Sequence, residues 1–174
     1  MNFFGHLTTI MTHRRQVIKN AARCGILWQG LRHDLSKYSP TEFREGVKFF
    51  LGNRSPNEAE RAEKGYSEAW MHHKGRNRHH FEYWTDYSPV TKEMSPVKMP
   101  MRYLKEMFCD RVAATKVYRK KDYHDGAALE YFVKGKAKDH MHPETSKVLE
   151  KWLVMLAEEG EKKTFALIKK TKDY

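Results

Sequence analysis

Cysteine is scarce: Cys24 and Cys109 are the only two in 174 residues, too few for a disulfide framework. No apolar run approaches the roughly 20 residues that cross a bilayer. His6, His13, Arg14 and Arg15 interrupt the first apolar residues, which excludes a secretory leader pattern. Acidic residues are also in deficit, 22 against 33 Lys and Arg, leaving a formal charge of +11. Such a charge attracts phosphate, on nucleic acid or on a small substrate. The cations are scattered, with the densest runs at 118–122 and 161–172, and neither run carries a nucleic-acid-binding motif. Nucleic acid is therefore the less favoured partner. One soluble, cytoplasmic domain over residues 1–174 is expected, since its length suits one core and no repeat or low-complexity tract divides it. Nothing in the pattern specifies an oligomer.

What is present is helical punctuation. Phe3, Leu7, Ile10, Val17, Ala21 and Cys24 recur at helical spacing and predict a helix from Asn2 to Cys24, stopped by Gly25. A short segment follows at 31–38. Ser39-Pro40-Thr41-Glu42 and Ser55-Pro56-Asn57-Glu58 both match a capping box with proline at the first helical position. The second predicts a helix running to about His73. Pro89 and Pro96 exclude a long helix between Gly75 and Met99. Further helices are expected from Pro100 to about Arg119, from about Gly126 to Lys134, from Pro143 to Gly160, and over 161–170. No alternating strand-like run is present. The fold class is all-α, a bundle of about six to seven helices.

Polar residues interrupt the faces that should be buried. The stripe Phe3, His6, Ile10, His13, Val17, Cys24 carries two histidines. Tyr103, Met107, Asp110, Ala114 and Val117 form a stripe with a lone carboxylate, costly to bury unless paired or bound to a cation. Ala59, Ala62, Tyr66 and Ala69 lead to His73. Each histidine alone has an ordinary alternative as a hydrogen-bonded core residue, and Asp110 as the partner of an arginine. Together, His13, His33-Asp34, the cluster His72, His73, His79, His80, and Asp110 are the residue types that bind divalent first-row metals, and helices of a bundle can bring them together.

This order resembles the HD superfamily of metal-dependent phosphohydrolases, in which a His, a His-Asp pair and a distant Asp hold a metal inside an all-α bundle. More narrowly, "LRHDLSKYSPTEF", "HHKGRNRHHFEYW" and "MFCDRVAA" resemble DUF5662, a family of unknown function similar to HD proteins, from His6 to about Met155. The resemblance implies an HD-like bundle with His13, His33, Asp34 and Asp110 as core ligands. It adds His73 and one of His79 or His80 as ligands of a second metal, because neighbours on a regular helix cannot both point inward. His72 is a weaker candidate, and His6 is a candidate for a supporting position. The Gly-Tyr-Pro signature of the cyclic-dinucleotide phosphodiesterases in the superfamily is absent, which argues against their substrate.

The expected function is hydrolysis of a phosphate ester, of a nucleotide or related phosphorylated small molecule, with one or two divalent ions (Mn, Co, Mg, Fe or Zn). Asp34 and Lys37 are the expected catalytic residues. Lys37 lies one turn after His33 and would also bind substrate, with Arg76, Arg78, Arg111 and Asn77. Tyr83 is expected to shape the pocket, and Trp70 and Trp84 could stack on a base or belong to the core. Two alternatives stand beside this: an HD-fold di-iron oxygenase, and a non-catalytic metal-containing module that binds nucleic acid or protein.

Overall fold

Four of the eight α-helices start where a side chain replaces a missing backbone partner. In the computed structural model, which describes residues 2–174, Asn2 accepts the Gly5 amide and opens α1 (Phe3–Arg23). Gly25 ends that run at φ 77°, and the chain turns back into α2 (Leu27–Arg32), a helix the sequence reading did not separate. Gly30 allows the return, because a Cβ there would lie 2.4 Å from the Ala21 Cβ. A 3-10 turn, Leu35–Tyr38, leads to α3 (Pro40–Lys48), capped by Ser39.

The helix expected from Ser55 to His73 is two helices. Gly65 stops α4 (Pro56–Lys64) in a left-handed conformation, and Ser67 restarts the chain as α5 (Glu68–Arg76). The supposed stripe fails accordingly: Ala62 and Tyr66 are exposed, and Ala69 is buried on the next helix. Glu60 joins the two pieces. Its carboxylate accepts from the Ser67 hydroxyl at 2.6 Å, the Glu68 amide at 3.0 Å and Lys64 at 3.2 Å. Replacing Glu60 with Ala is expected to lower the stability measured in urea by about 1–3 kcal/mol. Burial opposes its charge, but Ser67, Lys64 and the Glu68 amide outweigh burial and hold its pKa below the ordinary 4.5. Its contribution is therefore complete above pH 4.5 and lost as the pH falls through the depressed folded value. The stability gap between wild type and Glu60→Ala should narrow on acidification; a constant gap would contradict this account.

Beyond α5 the chain makes an exposed antiparallel hairpin, β1 (Thr85–Tyr87) with β2 (Met94–Pro96), not anticipated because each strand has three residues. Then come α6 (Met101–Arg119), α7 (Ala127–Lys134) and α8 (Pro143–Lys170). Gly160, at φ 76° and ψ 173°, kinks α8 where a helix end was expected.

The core lies between α1, α6, α7 and α8, with Val17, Leu104, Phe108, Val112, Phe132, Trp152, Leu153 and Phe165 buried in it. Cys24 and Cys109 are free thiols there. The α6 face that fills this core is Leu104, Phe108 and Val112. Met107 is buried in the core as expected and also touches a cavity, whereas Asp110, Ala114 and Val117, expected inside, border that cavity. Phe3 is likewise exposed rather than buried, set edge-on to Phe43. Among the described residues no helix is long and apolar enough to cross a membrane.

Candidate metal centre

The His33-Asp34 pair depends on a backbone reversal. His33 leaves α2 in an extended conformation and Asp34 sits at φ 55°, a left-handed position that Asp tolerates better than most residues. The reversal sends two consecutive side chains into one buried place, His33 Nε2 lying 3.3 Å from Asp34 Oδ2. The following 3-10 turn brings Lys37 back to the same oxygen at 2.8 Å. Helix α1 supplies His13, α5 supplies His73, and the turn after α5 supplies His79 and His80. Helix α6 supplies Glu106 and Asp110, four residues apart and so on one face.

Two groups of donors result. In the first, His13 Nε2 lies 3.0 Å from Asp110 Oδ1, 3.4 Å from His33 Nε2 and 3.9 Å from Asp34 Oδ2. In the second, Asp34 Oδ1 lies 3.3 Å from His73 Nε2 and 3.4 Å from His79 Nε2, and a ring nitrogen of His80 is within 4.8 Å of these atoms. Metal–nitrogen and metal–oxygen bonds of about 2.1 Å place neighbouring ligands about 3–3.4 Å apart, so both groups could each hold an ion. Asp34 faces both, Oδ1 toward His73 and His79 and Oδ2 toward His13, His33 and Lys37. Asp34 Oδ1, His79 Nε2 and His80 Nε2 are buried without a hydrogen-bond partner among the described residues, the state of atoms that face a cation rather than each other.

The outer ring nitrogens are held by acids. His33 Nδ1 donates to Glu106 at 2.9 Å and His79 Nδ1 faces the same carboxylate oxygen at 3.3 Å. His73 Nδ1 donates to Glu42 at 2.7 Å, and His72 Nδ1 to the other Glu42 oxygen at 2.6 Å. With Nδ1 protonated toward a carboxylate, the Nε2 lone pair faces the centre, the arrangement that orients metal-bound histidines.

Charge balance points the same way. Burial alone would raise the acids, but His33, Lys37 and His73 hold Asp34 well below the usual carboxylate range. His13 and His33 do the same for Asp110. Glu106, also opposed by burial, is brought down to about 2 by His33 and His79. Burial lowers His13 and His80 and leaves them unprotonated. For His33 and His73 burial is outweighed by Asp34 together with Glu106 or Glu42, which call for positive charge on those rings. Ring protons or a bound cation can supply that charge beside Lys37.

His13, Asp34, His73, His80 and Asp110 border a cavity of about 550 Å3 that also takes in Lys37, Arg54, Arg61, Glu82, Arg111 and Tyr118. Of the expected substrate contacts, Lys37 and Arg111 face it, and the Arg111 Nε is buried without a partner. Arg76 and Arg78 do not line it: both are exposed, Arg76 bonded to the His72 carbonyl and Arg78 lying near Tyr103 and over the Tyr83 ring. Asn77 is committed to structure, donating to the Ser36 hydroxyl at 2.7 Å and the His73 carbonyl at 2.8 Å. Trp84 bonds the Arg78 carbonyl at 2.7 Å and is likewise structural. Trp70 lines the cavity and packs edge-on against His80.

His72 stays outside both groups, its ring taken up by Glu42. His6 reaches the cavity wall but joins neither group. It packs beneath Gly46, where a Cβ would meet its Nε2 at 2.1 Å, and burial, then Lys37, lowers its pKa to about 4. The expectation that only one of His79 and His80 points inward is corrected, because residues 77–80 form a turn and the helical rule does not apply. Glu42 and Glu106 are the residues that sequence reasoning missed. Glu42 was absorbed into a capping box, although its carboxylate serves two histidines; Glu106 had a signal, its place one turn before Asp110.

No curated protein and no solved structure matches the chain. A family of unknown function, DUF5662, matches residues 2–155, a range that includes every residue of the centre. The chain belongs to the DUF5662 family.

Proposed function

We propose that this protein is a metal-dependent phosphohydrolase of the HD type, acting on the phosphate ester of a nucleotide or similar small molecule. The observation that carries the reading is Asp34, whose Oδ2 faces His13 and His33 and whose Oδ1 faces His73 and His79, beside the cavity. His13, His33, Asp34 and Asp110 would hold one divalent cation, and Asp34, His73, His79 and His80 the other. Such ions lower the pKa of bound water from about 16 toward about 7 and neutralise phosphate charge. Lys37 keeps its proton beside Asp34: burial opposes the charge, but Asp34 and Asp110 raise its pKa. It is placed to meet a phosphate oxygen. Arg111, which lines the cavity, supplies a planar fork for another. A cavity of about 550 Å3 is in the range that encloses a ligand of nucleotide size.

The test is a screen of Mn, Co, Mg, Fe and Zn against a panel of phosphate esters. Turnover is expected with at least one ion, loss on chelation, and recovery when that ion is restored. Protein carrying two ions that hydrolyses nothing in the panel would overturn the proposal. Five imidazoles in the two groups favour a second reading, a di-iron oxygenase. Protein purified without added metal would then contain iron at two per chain, with a visible absorption band.

A further inference from the structure

Helix α1 has two apolar faces. The inner one carries Ile10, Val17 and Ala21, all buried. The outer one runs Phe4, Leu7, Met11, Arg14, Ile18, spaced three and four residues apart, which is how one helix presents a seam to another. Phe4 is 79% and Met11 52% exposed. A groove of about 290 Å3 lies on this seam, lined by Met11, Arg14, Arg15, Ile18 and Tyr38. Arg14 donates to the Leu31 carbonyl at 2.9 Å and lies over the Tyr38 ring. Helix α2 and the turn after it therefore continue the surface, adding Leu31, Leu35 and Trp28, the last 81% exposed. Single exposed apolar residues are ordinary; a continuous face of them marks an interaction site.

The surrounding charge says what covers it. Between Phe3 and Arg44 the only acids are Asp34 and Glu42, and both are buried. Arg23 and Lys37 are paired with Glu161 and Asp34. Arg15, Lys19 and Arg32 are exposed, and none forms an ion pair among the described residues. A second copy presenting this face across a two-fold axis would set like charges together. A lipid surface would meet the apolar side chains but offers no single projecting group for the groove. We propose that this face docks an acidic amphipathic helix of a partner protein. One apolar side chain seats between Met11, Ile18 and Tyr38, and carboxylates meet Arg15, Lys19 and Arg32.

Two stapled peptides of about 20 residues test this, long enough to hold a helix. They share one leucine stripe and carry either Glu or Lys beside it. Titrated calorimetrically into the full chain, the Glu peptide is expected to bind at least about tenfold more tightly than the Lys peptide, and less tightly as salt rises. A Met11→Ser/Arg15→Glu double variant, checked for unchanged helicity, should weaken the Glu peptide at least about tenfold. Equal binding of both peptides, no binding of the Glu peptide, or no effect of the variant overturns the proposal. So does dimerisation of the chain alone, or flotation with phosphatidylglycerol vesicles, if the same double variant abolishes it.

Discussion

Asp34→Asn is expected to remove turnover while the helical circular dichroism stays close to wild type. The replacement keeps the size of the side chain and a residue that tolerates the left-handed backbone found at this position. It removes the charge that faces both donor groups, so the proposed binding of both ions would be weakened by a single change. Loss of roughly 4 kcal/mol of metal-dependent stabilisation corresponds to about a thousandfold in rate. Elemental analysis should show fewer than two ions per chain in the same preparation. Undiminished hydrolysis by the variant would refute the assignment of this carboxylate.

The second large effect is expected at Glu106, which stands behind His33 and His79. Glu106→Gln removes the charge that orients His33 and His79 and leaves an amide near the same shape. Metal affinity should fall about 10–100-fold, read by competition with a chelating dye, and saturating metal should restore most of the rate. A variant with wild-type affinity would show that Glu106 serves folding alone. The comparison separates a residue that positions ligands from one, such as Asp34, that supplies the donor itself.

The helix starts at Ser39-Pro40 and Ser55-Pro56 were legible because a side-chain cap is a local device, and those at Pro100 and Pro143 because proline alone marks a first turn. The break at Gly65–Ser67 was equally local, but the apolar spacing across it mimicked one continuous helix. His13, His33, Asp34 and Asp110 were recognisable as a set by their order along the chain. Their supports were not: Glu106 meets a histidine 73 positions away and Glu42 one 30 positions away, and pairs so distant leave no periodicity. Arg76 and Arg78 were drawn in by their position among histidines. Yet on this helix end and turn their side chains leave in other directions than His73 and His79.

One contact spans much of the molecule. His13 and Asp110 meet at 3.0 Å, although 97 positions separate them in the chain, and an extended polypeptide offers no equivalent meeting point. An ion at that meeting point would act as a clasp between the first and sixth helices, absent from the denatured chain and therefore favouring the native one in proportion to its concentration. Melting temperatures of this protein would then report how much of the sample carries its ions as much as how well its helices fit.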